Sequence, residues 1–204
     1  MAMRPSSLAV GFCLSSLAVG GGCAPHARYS DAFYAEAARS DPRRRPYAIG
    51  IADVVRITVW KDPNLSTDAS VRPDGTLTMP LAGEFRAAGR TAAELQKDIS
   101  TRLEGFVKDA VVTVALIEVN SYRFTVSGNV EHPGMFTSRY YVTISEALAL
   151  AGGPNRYAST SDVVLVRDVN GRPQRVAIDY DKILSGDRAD EDVVVLAGDA
   201  IQVP

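Results

Sequence analysis

The chain has 204 residues, 46% of them apolar and 23% charged, with a net charge of −2. That balance suits one or two small folded domains and is too apolar for a disordered chain. It lacks the basic footprint of a nucleic-acid binder, and no apolar run is long enough to span a bilayer as a helix. Two Cys and two His are too few for a zinc ribbon, a Cys-rich scaffold or a His-rich metal centre.

The first elements read as an address and a tether. Arg4 supplies a thin positive start, and Leu8 to Val19 is an uncharged stretch of signal-peptide length. Gly20 to Gly22 then lead to Cys23. Ending on Cys resembles a bacterial lipoprotein signal, in which Cys23 would be lipidated and become the mature N-terminus. Such signals usually carry Leu where this chain has Gly20, and ordinary secretion with cleavage nearby is the other reading. Residues 1–22 are set aside as signal peptide and 23–46 as tether. Within the tether, SDAFYAEAARS is predicted to form two or three helical turns, with Ser30 as cap. The Arg39, Arg43, Arg44 and Arg45 cluster reads as part of a solvated linker.

A first strand-rich unit is expected over 47–120. VVRITVW, Val54 to Trp60, alternates Val55, Ile57 and Val59 with Arg56 and Thr58, the pattern of a half-buried strand. Asp74-Gly75 within Ser70 to Met79 predicts a hairpin with a type I′ turn, whose two central residues both need positive φ. Thr91 and Glu94 have capping-box spacing. They open a helix with Leu95, Ile99, Leu103 and Phe106 in register, fraying near Gly105. Val111 to Val119 completes the unit as an extended strand.

A second unit is expected over 121–204. YRFTVSG predicts a strand ending at Gly128, and His132-Pro133-Gly134 a tight turn. Thr143 and Glu146 form another capping box, and the helix they open stops at Gly152-Gly153-Pro154. Four short strands follow at Val163 to Arg167, Arg175 to Ile178, Val193 to Leu196 and Ala200 to Val203. Asn170-Gly171 supplies hairpin chemistry between the first two, and DYDKILSG one helical turn. The fold class is α+β: two small strand-rich domains, the second β-grasp-like.

Chemistry-bearing groups do not cluster. Neither His26 nor His132 has a nucleophile or carboxylate at a telling spacing, and Gly152-Gly153 follows a helix instead of opening one, unlike a phosphate-binding loop. No catalytic residue, metal site or cofactor is expected.

One ordered set of landmarks is specific. Tyr47, Ile49, Gly50 and Asp53, then VVRITVW, then Val71 through Asp74-Gly75 to Pro80 and Gly83, then Gly89 and Thr91 resemble the polysaccharide-export domain of Gram-negative outer-membrane lipoproteins. Val126, Gly128, Val130, Pro133-Gly134 and Phe136, then Thr143 to Ala147, Gly152-Gly153 and Gly198-Asp199 through Pro204 are similar to the β-grasp (SLBB) domain that follows it. The glycines read as turn and packing residues, and Asp53 and Asp199, each ahead of a strand, as bonding local amides. Ala52 stands where the family commonly has Gly, so the first turn is expected to be less tight.

The resemblance implies a component of a capsule or exopolysaccharide export conduit at the periplasmic face of the outer membrane, lipid-anchored through Cys23. It implies a homo-oligomeric ring through which the exported polysaccharide passes. Longer members end in an amphipathic helix that lines the outer-membrane pore, whereas this sequence stops at Pro204. The expected partners are therefore an outer-membrane β-barrel porin or a longer homologue, and an inner-membrane polysaccharide co-polymerase. The alternatives are a periplasmic carbohydrate-binding or regulatory lipoprotein without a conduit role, and a DNA-uptake or adhesion module, which the acidic balance disfavours.

Overall fold

The computed structural model describes residues 31–107 and 110–204. Helix α1 (Asp31–Arg39) and a 3-10 turn (Pro42–Arg44) precede the first unit. There β1 (Val54–Val59) is the centre of a three-stranded antiparallel sheet. Its alternation buries Val55, Ile57 and Val59, and turns Arg56 outward onto Asp68, its direct neighbour across the sheet on β2 (Thr67–Ser70). β3 (Thr76–Met79) and β4 (Gly83–Arg86) form a separate hairpin. Helix α2 (Ala92–Leu103) lies behind, and β5 (Val112–Glu118) returns along the other edge of β1. Leu95, Ile99 and Leu103 of α2 close the core against Ile57, Leu77 and Val112. Each such aliphatic burial contributes about 1.5–3 kcal/mol.

Two details of this unit differ from expectation. The turn before β3 is not type I′: Arg72 O accepts from Gly75 N at 2.8 Å, and Gly75 but not Asp74 has positive φ. Pro73 sits at the second position of that turn, where its fixed φ suits a type I geometry. The strand that follows then pairs with β4, not β2. Phe106, in turn, is not part of the helical stripe. Leu103 O accepts from the amides of both Phe106 and Val107 at 2.8 Å, which winds the chain so that Val107 packs on the core and Phe106 is 62% exposed.

The second unit is a five-stranded sheet built from β6 (Arg123–Gly128), β7 (Gly134–Thr137), β8 (Val163–Val169), β9 (Arg172–Ile178) and β10 (Ala200–Val203), in the order β7-β6-β10-β8-β9. Its central pair, β10 with β6, is parallel, and the other pairs are antiparallel. Helix α3 (Ile144–Leu150) buries Ile144, Ala147 and Leu148 in the core beside this sheet. It ends as expected: the amides of Gly152 and Gly153 return to Ala149 O and Leu148 O, the Schellman pattern. Asn170 and Gly171 both have positive φ, as a type I′ hairpin requires. Helix α4 (Tyr180–Ser185) follows β9. Gly128 is where a side chain has no room, because a Cβ would run into the carbonyl of Val203 on the parallel neighbour.

Val193 to Leu196 is not a strand. Val193, Val194 and Val195 are buried, but the segment makes one isolated bridge, Val194 with Thr143. Side chains occupy carbonyls that a ladder would use: Tyr122 Oη donates to Val195 O at 2.9 Å and Arg167 Nη2 to Val194 O at 2.8 Å.

The segment read as a tether contains packed structure. Tyr34 of α1 is 4% exposed, belongs to the core of the second unit, and donates to Ala177 O at 3.0 Å. Arg188 reaches Asp31 at 3.3 Å and lies over the Tyr34 ring. Arg43 is not simply solvated, since its guanidinium forks onto buried Asp41 at 2.9–3.1 Å and holds that carboxyl below its ordinary value. From Asp31 the described chain therefore packs first on the second unit, crosses to the first after Arg45, and crosses back before β6.

Candidate functional site at the junction of the two units

Asp53 stands where those two crossings meet. It is 0% exposed and accepts four hydrogen bonds from neutral donors. Tyr47 Oη donates to Oδ2 at 2.8 Å and Gly50 N at 2.7 Å. The amides of Asn120 and Ser121, from the returning segment, donate to Oδ1 at 2.8 Å each. Asn120 Nδ2 adds a bond to Ala52 O at 3.1 Å, and Ser121 Oγ lies 2.8 Å from Tyr47 Oη. Gly50 has no space for a Cβ, which would collide with the Ser121 side chain. Burial, with the Asp53 carboxylate beside it, keeps the Tyr47 phenol well above its ordinary pKa, so it stays a donor.

The turn carrying this carboxylate has not relaxed around Ala52. Ala52 holds φ 73 and its amide donates to Val71 O at 2.9 Å. The chain keeps the left-handed conformation that Gly adopts freely and accepts the steric cost of a Cβ there.

Beside the latch is a cleft of about 310 Å³ lined by Arg43, Tyr47, Leu116, Val119, Tyr122, Arg139, Tyr140 and Tyr141. Four of the chain's eight tyrosines face it. The Tyr122 and Tyr141 rings meet edge to face at 5.0 Å, and Tyr47 is tilted against Tyr141 at 6.2 Å. Tyr122 Oη is fixed twice, donating to Val195 O and accepting from Val142 N at 3.1 Å. Burial raises the phenol pKa of both Tyr122 and Tyr141. Tyr140 at the rim is 66% exposed.

The other sequence-singled positions are dispersed. Asp199 is 2% exposed and faces buried Arg167, with Nε to Oδ1 at 3.1 Å and Nη2 to Oδ2 at 2.7 Å, and it also accepts from Leu196 N at 2.6 Å. Asp74 accepts from Thr76 N and Oγ1 in the turn before β3. Gly75 ends that turn, and Pro80 and Gly83 flank the β3–β4 turn. Pro133-Gly134 leads into β7, Gly152-Gly153 closes α3, and Gly198 N bonds Arg123 O at 2.8 Å. Cys23 lies outside the described residues. Of these positions only Gly50 and Asp53 belong to the junction. Sequence reading passed over Tyr122, Arg139, Tyr140 and Tyr141 as cleft residues, although Arg-Tyr-Tyr at 139–141 is a dense cationic and aromatic run. Among the described residues no group of three His, Cys, Asp or Glu side chains is placed to hold a metal, and no helix is long and apolar enough to cross a membrane.

Comparison with known proteins agrees with this two-part organisation. The family model described as polysaccharide biosynthesis/export protein matches residues 41–117, and the SLBB domain model matches 123–177. The chain is 31% identical over 155 residues to the EPS I polysaccharide export outer membrane protein EpsA of Ralstonia solanacearum, covering 64% of this chain and 41% of that protein. It is 28% identical over 125 residues to the exopolysaccharide production protein ExoF of Rhizobium meliloti (strain 1021), covering 56% of this chain and 30% of that protein. The chain thus spans well under half the length of these curated relatives. The chain carries a polysaccharide biosynthesis/export domain over 41–117, followed by an SLBB domain over 123–177.

Proposed function

We propose that this protein is a component of an exopolysaccharide or capsule export conduit, held at the periplasmic face of the outer membrane through lipidated Cys23. The observation that carries the reading is the export-family match followed by the SLBB match in this chain, together with its similarity to a relative named for polysaccharide export. The assembly belonging to this proposal is a homo-oligomeric ring. Its partners are an outer-membrane β-barrel porin or a longer homologue, and an inner-membrane co-polymerase. The fold suits such a role in one respect: the Asp53 latch ties the two units where the chain crosses between them, so each subunit can present both in fixed relation.

The test is genetic. Deleting the gene should remove polymer from outside the cell, with trapped polymer in the periplasm or silenced synthesis, and a copy restored in trans should reverse both. Unchanged external polymer in a strain with no second exporter would sink the reading. Replacing Cys23 with Ser should abolish lipid labelling and shift the protein out of the membrane fraction.

A further inference from the structure

We infer that the junction cleft is a subsite for a carboxylate-bearing sugar unit of the transported polymer. The inference rests on the export reading and deepens it by naming the ligand's chemistry. At about 310 Å³ the cleft is at the small end of ligand-pocket sizes, room for a short stretch of glycan and not for a folded partner. Its walls are tyrosine faces and aliphatic side chains. The electron-rich face of an aromatic ring attracts the polarised C–H face of a pyranose, as it attracts other positive edges.

The rings are also set in advance. Tyr47 is fixed by Asp53 and Ser121, and Tyr122 by Val195 and Val142. Little side-chain freedom is lost when a sugar lies against them.

Charge selects the class of sugar. Two arginines line the cleft, and they differ. Arg43 is already forked onto Asp41. Arg139 makes no ion pair with a carboxylate among the described residues, so its planar fork is open, and that geometry matches a carboxylate bidentately. The one carboxylate latched behind the cleft, Asp53, is saturated by its four donors. An acidic sugar therefore meets a cation at the rim and rings within. Binding to one such subsite is weak, in the millimolar range, which lets a long polymer move on.

The experiment titrates the full-length protein with tetragalacturonate and, separately, with its full methyl ester, following amide chemical shifts. The acid is expected to shift residues of 139–142 and 119–122, and the ester to bind about tenfold more weakly. Arg139→Gln should weaken the acid to the level of the ester, and Tyr140→Ala should weaken both probes several-fold. Arg156→Gln, an exposed arginine beside Tyr157, should change nothing. Equal affinity for acid and ester, or wild-type binding by Arg139→Gln, overturns the inference. So does an Arg139→Gln protein that binds sugar normally but changes mass in light scattering, because the cleft is then a contact between copies. In cells, full export by Arg139→Gln in a strain whose deletion abolishes export rejects the subsite and leaves the export reading intact. A deletion without phenotype rejects the export reading, whatever the titration gives.

Discussion

Two buried aspartates, each just ahead of a strand, do related work by different electrostatics. Asp53 precedes β1 and is surrounded by a phenol and three peptide amides, all neutral donors. Asp199 precedes β10 and meets a guanidinium that is itself buried, with one amide added. The first joins two stretches of chain at the junction. The second neutralises a cation inside the second unit and lets Arg167 hold Val194 O. The contrast matters because their failures differ in kind. Losing Asp53 strands dipoles, whereas losing Asp199 strands a full charge.

The largest expected effect follows from that distinction. Asp199→Ala leaves the Arg167 guanidinium buried without a counter-charge and should destabilise the protein by about 3–5 kcal/mol in denaturant titration. Adding Arg167→Met should recover part of the loss, since removing both charges is far cheaper than removing one. Asp53→Asn should cost less, about 2–3 kcal/mol. An amide presents donors where the carboxylate accepted, so two of the four donors lose their partner. If the two aspartate substitutions cost the same, the distinction between stranded dipole and stranded charge fails here. Ala52→Gly should stabilise the protein by up to about 1 kcal/mol, because Gly adopts φ 73 without the Cβ penalty.

The smallest effect is a change of slope with pH. Tyr47 has its pKa raised above the ordinary 10.0, first by burial. In the folded state it keeps its proton where the unfolded chain has lost it. Its contribution is full below pH 10 and is lost as pH rises beyond, the unfolded state binding fewer protons there. Tyr47→Phe should flatten the decline in stability above pH 10, measured by urea midpoints across that range. An unchanged slope would mean that the Asp53 latch does not share in alkaline unfolding.

What could be read in advance was local. Both capping boxes, Thr91 with Glu94 and Thr143 with Glu146, form as their spacing indicates, because every atom involved lies within one turn. The Asn170-Gly171 hairpin is legible for the same reason. The misread turn at Asp74 is instructive: Asp-Gly fits more than one turn, and Pro73 selects among them. Val193 to Leu196 has the composition of a strand, but distant Tyr122 and Arg167 take its carbonyls. The cleft was invisible for a related reason. Its tyrosines come from three separate stretches of chain, and nothing in the residues around Tyr47 announces Tyr141. Asp53 reads from the sequence as a turn residue bonding local amides, whereas two of its amide partners, at 120 and 121, lie 67 and 68 positions away.

The docking of α1 bears on how the molecule assembles in time. Tyr34 meets Ala177 across 143 positions, with the whole first unit threaded between. Contacts of that separation carry a large loop-closure cost and form late. The helix made first must wait for β9 before its hydroxyl has an acceptor, while the first unit can condense around contacts much nearer in sequence. Refolding followed by pulsed hydrogen exchange should therefore show protection in α2 and β5 before α1, and a Tyr34→Phe variant should unfold faster with little change in its folding rate.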